Sequence, residues 1–267
     1  LYLGDAAVFT ISLPSTVSGR VSVYRDDDVY IGSGEVVNGV GTVTLKNMPL
    51  GSYEIEFVLN SGGYNLDEFY FLTIAPKKIT VPTTAYIGAG NIFSASLPSN
   101  ANGLLTVEVM NKNTGKTSTL IAKYTKGQVA IPATKLAPGT YVITDFYIED
   151  NKYGEYGFVD LPDYDEKDIY STFIVKYPKL ALNKIKTLSK KKSSVTLRLT
   201  LGDGKTISGT PVTFKFHTQT YKVYAKNGVA KVTIKQNVYK NFKVGKYVTY
   251  KATYYGKTLK YTLKIIK

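Results

Sequence analysis

The sequence predicts an all-β fold, built as three tandem antiparallel β-sandwiches in a rod-like array. Three observations carry that expectation. Strand-forming residues dominate, with 23 Tyr alongside Thr, Val and Ile, and no segment sustains the 3.6-residue periodicity of an amphipathic helix. Apolar and polar residues alternate in short runs bounded by Gly and Pro. One set of short motifs also recurs three times along the 267 residues.

The recurring motifs come in a fixed order. Leu13-Pro14, Gly19 and Val21-Ser22-Val23 match Leu97-Pro98, Gly103 and Leu105-Thr106-Val107 residue for residue. A turn glycine follows: Asn38-Gly39, Lys126-Gly127 and Asn227-Gly228, each opening an alternating run. These dipeptides supply the positive φ of a tight hairpin, and a run such as Lys231-Val232-Thr233-Ile234 reads as a half-buried antiparallel strand. A Gly-x-Tyr comes next, at Gly51-Ser52-Tyr53, Gly139-Thr140-Tyr141 and Gly245-Lys246-Tyr247. It resembles the tyrosine corner of immunoglobulin-like sandwiches, where a Tyr hydroxyl ties back to nearby backbone. The two glycines are 12 residues apart in the first two copies and 17 in the third, which implies an insertion around 236–243.

These repeats place Ig-like units at 1–76, 77–178 and 179–267, the second with an acidic, Tyr-rich insert and the third strongly basic. The joints are Ala75-Pro76-Lys77-Lys78 and Tyr177-Pro178-Lys179. Proline cannot donate to a ladder and suits a junction between sheets, and joints this short make a semi-rigid rod. Strands are clearest in the third unit, where Val195, Leu197, Leu199 and Leu201, then Val212, Phe214 and Phe216, then Leu259, Tyr261, Leu263 and Ile265 alternate with polar residues. One strand resists: Tyr247 has the opposite parity to Val248, Tyr250 and Ala252, and a β-bulge after the corner would reconcile them.

Charge divides the chain. Residues 177–267 carry 20 Lys and one Arg against a single acid, Asp203, whereas residues 1–176 carry 13 basic and 19 acidic side chains. The basic third is suited to an anionic partner. Cysteine is absent, which excludes disulfide frameworks and thiolate metal sites. No apolar run is long enough to span a membrane. The chain starts at Leu1 without Met or a leader, as an excised or processed piece would.

Enzymatic chemistry has little to stand on. His217 is the lone histidine and its strand parity faces it outward; no phosphate loop, paired-histidine motif or cysteine nucleophile is present. Asp26-Asp27-Asp28 reads as a solvated hairpin loop, with relief of its repulsion by one hard cation as the alternative. The insert from Glu149 to Tyr170 holds the acidic cluster 160–168. Tyr153, Tyr156 and Tyr164 in it are candidate ligand contacts, and Asp163, Asp165 and Asp168 are candidate calcium ligands. The plainer reading is that the insert covers a sheet edge.

The strongest functional signal is basic. Lys215 and His217, Lys222, Tyr224 and Lys226, and Lys260 and Lys264 share outward parity on strands that would be neighbours, and Lys190-Lys191-Lys192 adds a basic loop. Lysines also guard exposed sheets against aggregation, but that does not account for the near-absence of Asp and Glu. One Arg against 20 Lys argues against sequence-specific nucleic acid, which is read by bidentate forks, and for diffuse attraction to a polymer rich in carboxylate or phosphate.

The run Gly-Val-Ala-Lys-Val-Thr-Ile at 228–234, the Gly-Lys-Tyr-Val at 245–248 and the ending Tyr254-Tyr255-Gly256-Lys257-Thr258-Leu259-Lys260-Tyr261 together resemble the Ig-like repeats of large surface proteins. In particular they are similar to the C-terminal part of adhesin-like proteins of methane-producing archaea. The resemblance covers all three units loosely and 179–267 most closely. It implies a non-enzymatic protein, secreted and held at the cell surface. Its basic end would sit on an anionic, pseudomurein-like cell-wall polymer, and its distal units would contact a surface glycan or a protein of another cell. No cofactor is implied. A stalk or surface-layer component without a ligand of its own, or a carbohydrate-binding module, is the alternative.

Overall fold

The computed structural model describes residues 1–26, 28–61, 64–157, 172–202 and 207–267. Almost everything in it is strand. In chain order these are β1 (Ala7–Ser12), β2 (Gly19–Arg25), β3 (Val29–Val37), β4 (Val40–Leu45), β5 (Gly51–Ser61) and β6 (Tyr64–Ile74). Next come β7 (Lys78–Thr80), β8 (Thr84–Tyr86), β9 (Asn91–Ser96), β10 (Gly103–Asn111), β11 (Thr117–Tyr124), β12 (Gln128–Pro132), β13 (Gly139–Asp150), β14 (Gly154–Gly157) and β15 (Thr172–Lys176). The last are β16 (Leu180–Leu182), β17 (Thr187–Ser189), β18 (Ser194–Leu201), β19 (Pro211–Phe216), β20 (Gln219–Tyr224), β21 (Val229–Lys235), β22 (Tyr247–Tyr254) and β23 (Lys257–Ile266). Among the described residues the only helical pieces are single 3-10 turns, and no helix is long and apolar enough to cross a membrane. The all-β class stands.

The chain divides into two compact units. Unit 1 is Leu1–Pro82, Phe93–Ile131 and Tyr141–Thr172; unit 2 is Thr83–Ile92, Pro132–Thr140 and Phe173–Lys267.

In unit 1 one sheet runs β1-β4-β3-β2-β5-β6, β10 lies between β11 and β13, β14 adds to β13, and β9 lies between β12 and β7. Alternation buries one face of each strand. Tyr53, Ile55, Phe57 and Leu59 of β5 point inward while Ser52, Glu54 and Glu56 do not. The corner forms at Tyr53, whose hydroxyl donates to the Leu50 carbonyl at 2.7 Å.

In unit 2 the three-stranded sheet β16-β18-β21 faces the five-stranded sheet β17-β23-β22-β19-β20. Leu197, Leu199, Phe214, Phe216, Tyr250, Leu263 and Ile265 fill the space between them. Two expectations fail here. Tyr247 is two-thirds exposed, at 66%, so the third Gly-x-Tyr is not a tyrosine corner. No bulge is needed either: β22 pairs with β23 in unbroken register, with Tyr247 on the outer face. A different tyrosine supplies the tie. The buried Tyr250 donates to the Asn183 carbonyl and accepts from the Ile185 amide, both at 2.7 Å, clamping the link between β16 and β17.

The recurring Leu and turn glycine prove to be bonded partners. Leu13, Leu97 and Leu201 amides donate to the carbonyls of Gly39, Gly127 and Gly228; those glycine amides donate to Val17, Ala101 and Ile207. Each turn has the expected positive φ pair, 51° and 81° at Asn38-Gly39, 56° and 67° at Lys126-Gly127, and 49° and 70° at Asn227-Gly228.

Candidate functional site

The outer face of the five-stranded sheet in unit 2 is built by strand register. Residues directly opposite one another in a ladder share a face, with Cα atoms about 4.5–5.5 Å apart. Lys215 of β19 lies opposite Lys251 of β22, and Lys251 lies opposite Lys260 of β23, so three lysines cross three strands in one row. Lys222 of β20 lies opposite Thr213, on the same face, and Lys264 of β23 lies opposite Tyr247. The other outward positions are Thr220, Thr249, Thr253, Thr258 and Thr262, with Tyr224 on the edge strand β20 and Tyr247 on the central strand β22. Lys215, Lys222, Lys260 and Lys264 are exposed; Lys251, hemmed between two lysines, is half-buried.

Threonines pin this surface. Thr253 and Thr258 hydroxyls are 2.8 Å apart, and Thr249 and Thr262 hydroxyls 3.4 Å. Aromatic rings take up some of the cations: the Lys264 ammonium stands 5.9 Å from the centre of the Tyr247 ring and Lys222 5.9 Å from that of Tyr224. Among the described residues of unit 2 there is no Asp or Glu. The opposite sheet also has a basic pair, Arg198 facing Lys231, so the unit is cationic beyond this one face.

Lys190-Lys191-Lys192 forms the loop leaving β17, an edge of the same sheet. The insertion foreseen at 236–243 holds that loop in place. Gln236 Nε2 donates to the Lys190 carbonyl and the buried Tyr239 hydroxyl to the Lys192 carbonyl, both at 2.6 Å. The lysine side chains stay free of that work: Lys191 and Lys192 are exposed and Lys190 is half-buried.

Other candidates fare differently. His217 is not on a strand; it sits in the two-residue turn between β19 and β20 with φ of 52°, its ring 5.0 Å from Phe242. Lys226 lies beyond β20, beside the Asn227-Gly228 turn, off the row of lysines. Tyr156, expected at a surface, is 1% exposed and packs on Phe146, so it is core. Its inward parity follows from β14 pairing with β13, opposite the buried Ile148. Tyr153 is half-buried with its hydroxyl donating to Asn100 Oδ1 at 2.6 Å. Its turn is fixed by the buried Asp150, which accepts from the Lys152 and Tyr153 amides at 2.9 Å and from the Tyr124 hydroxyl at 2.8 Å. Tyr164, Asp163, Asp165 and Asp168 lie outside the described residues. Among the described residues no cluster of His, Cys, Asp or Glu is suited to hold a metal. Asp26 and Asp28 flank the β2–β3 turn with positive φ, as a loop.

No family model matches the sequence. No curated protein matches it either. Among solved structures, the tetra-tandem repeat in the extending region of a large adhesion protein aligns at 13% identity and a TM-score of 0.24, covering 94% of this chain and 66% of its own. The FN1–FN3 domains of chicken CNTN1 align at 10% identity and a TM-score of 0.24, covering 98% of each chain. A Ca2+-stabilized adhesin that helps an Antarctic bacterium reach out and bind ice aligns at 13% identity and a TM-score of 0.23, covering 99% of this chain and 70% of its own. The fold assignment rests on the strand pairing described above, not on these matches.

Lys251, the centre of the lysine row, was missed in the sequence. The signal was present: Val248, Tyr250, Ala252 and Tyr254 alternate inward and leave Lys251 outward.

Proposed function

We propose that this chain is a non-enzymatic, adhesin-like piece of a cell-surface protein, organised as three Ig-like units at 1–76, 77–178 and 179–267. Its basic face docks on an anionic cell-envelope polymer, and residues 1–176, with their excess of acid, are left to meet other cells or surfaces. The observation that carries this reading is the row Lys215, Lys251 and Lys260 with Lys222 and Lys264 on the same face. Like charges directly opposite one another destabilise a sheet, and a polyanion laid across them offsets that repulsion. Lysine suits the task, being a compact point charge on a flexible stem that follows a polymer without reading its sequence.

The test is co-sedimentation of the whole chain with purified anionic wall polymer. At low ionic strength the chain should pellet, and salt near 0.5 M should release it, because exposed charge contacts are screened over a Debye length of about 10 Å at 0.1 M and less above that. Replacing Lys215, Lys222, Lys251 and Lys260 by Gln should abolish pelleting. Replacing Lys231, Lys235, Lys126 and Lys77 instead, an equal loss of charge, should weaken it far less. Equal loss from both sets would mean that net charge alone drives attachment and that this face is no site. A chain that stays in the supernatant at low salt is a stalk without a ligand of its own.

A further inference from the structure

Two sheet faces in this chain hold the same place in their repeats and carry opposite charge. The turn glycines Gly39 and Gly228 align β4 with β21, and so β2, β3, β5 and β6 with β19, β20, β22 and β23. The first four strands pair in the order β3-β2-β5-β6 and the second four in the order β20-β19-β22-β23. The lysine row stands on the outer face of the second set. Register fixes what stands on the first. Tyr30 of β3 lies opposite Tyr24 of β2, Tyr24 opposite Glu56 of β5, and Glu56 opposite Phe69 of β6, one row across four strands. Beside this row Glu54 lies opposite Phe71, and Val58 opposite Asp67. Ile55 and Phe57, which alternate with these positions on β5, are buried, so the row faces outward.

The aromatic rings of this face are bare: Phe71 is 85% exposed, Tyr30 53% and Phe69 52%. Large rings grouped on one exposed face mark a contact surface. The charges of the face repel one another. Glu54, Glu56, Asp26 and Asp28 line an open depression of about 470 Å³ together with Phe69 and Arg25. The Arg25 guanidinium lies over the Tyr53 ring, 5.0 Å from its centre. The Glu56 carboxyl is held above its ordinary pKa, by burial first and then by repulsion from Asp67, Asp28 and Glu54. Arg20 is bonded farther along the face, to Ser33 Oγ at 2.7 Å and to the Tyr30 hydroxyl at 3.4 Å.

We propose that this acidic, aromatic face docks the lysine face of a second copy of the chain. Charge complementarity selects the occupant. Glu54, Glu56 and Asp67 meet Lys215, Lys251 and Lys260 on a sheet of equivalent build, and each set relieves the repulsion that the other suffers alone. Phe69 and Phe71 receive lysine stems and ammonium groups on their rings. The contact is heterologous: every added copy leaves one face of each sign free, so assembly continues past two chains. The inference goes beyond docking on an envelope polymer and does not require it. Both partners would use the lysine face, so they compete for it.

Sedimentation velocity on the whole chain tests this. At about 10 mM salt the average mass should rise as concentration goes from about 1 to about 100 μM, and about 0.5 M salt should return it to that of one chain. The triple variant Glu54→Gln, Glu56→Gln, Asp67→Asn keeps its lysines, and the triple variant Lys215→Gln, Lys251→Gln, Lys260→Gln keeps its acids. Each alone should stay single, and an equimolar mixture should form a pair that grows no further. The acid variant should still pellet with anionic polymer, which separates a failure here from a failure of polymer docking. Zero-length carbodiimide crosslinking of the unsubstituted chain decides even where a variant misfolds. In a mixture of isotope-labelled and unlabelled chains, Glu54, Glu56 or Asp67 should join Lys215, Lys251 or Lys260 of the other copy. A mass independent of concentration at low salt overturns the proposal. So does an acid variant that associates as the unsubstituted chain does, or crosslinks that run from these acids to other lysines.

Discussion

Single hydroxyl groups hold much of this molecule together, and they do so in buried places. Tyr254 is 0% exposed and its hydroxyl donates to the Ile87 carbonyl at 2.8 Å; burial pushes its pKa up to about 12. Tyr124 is raised as well, by burial first and then by the Asp150 carboxylate that accepts its hydrogen bond. The direction sets a pH dependence. A tyrosine whose folded pKa lies above its unfolded value near 10 favours the folded state fully below pH 10, and that contribution is lost as pH rises toward the folded value. Urea unfolding should therefore show stability falling between pH 10 and 12. In Tyr254→Phe the unfolding free energy should be lower at pH 8, by about 1 kcal/mol for the missing hydrogen bond, and should fall less steeply above pH 10. Parallel alkaline slopes in the two proteins would remove Tyr254 from the account.

At the scale of elements, the turn glycines can be separated into those that only bend and those that also pack. Gly39 has φ of 81°, and a Cβ there would stand 2.2 Å from the Leu13 carbonyl oxygen; Gly115 has φ of 69° and open space around it. Gly115→Ala should cost about 1 kcal/mol, the strain of a left-handed residue. Gly39→Ala should cost about 3 kcal/mol or more, because β1 must also move. Chemical denaturation of both variants decides, and equal losses would mean that the bond between turn and β1 is incidental. The same contrast explains what could be read in the sequence. Asn38-Gly39 and Asn227-Gly228 declare their turns because the chemistry is local, and β18, β19 and β23 declare themselves by alternation over six or more residues. Three-residue strands such as β8 and β17 have no period to detect and exist because β15 and β23 lie beside them. Tyr156 and Tyr153 looked like a binding surface by composition, but their burial depends on β14 folding back on β13 and on Asp150, which are tertiary facts. Tyr239 and the turn at 236–238 were visible as a length difference only; that they support the Lys190–Lys192 loop needed the fold.

For the whole molecule the governing quantity is the unequal distribution of charge. The last 91 residues carry 21 basic side chains against one acid, and the fold places three of the lysines in one row, where they repel. Such a surface works against its own stability, so relief of that repulsion should be measurable without any ligand. Lys251 contributes two like-charge pairs, each worth about 0.2–1 kcal/mol. Lys251→Thr should thus raise the thermal midpoint of the basic region by roughly 2–8 °C at 10 mM salt. Raising salt to 150 mM shortens the Debye length from about 30 Å to about 8 Å, and should raise the midpoint of the unsubstituted chain more than that of the variant. The variant should also pellet less with anionic polymer at low salt. A gain in stability with a loss of attachment is the signature of a surface kept strained for a partner. If Lys251→Thr leaves the low-salt midpoint unchanged, the row is already neutralised by counterions and its repulsion is no argument for docking.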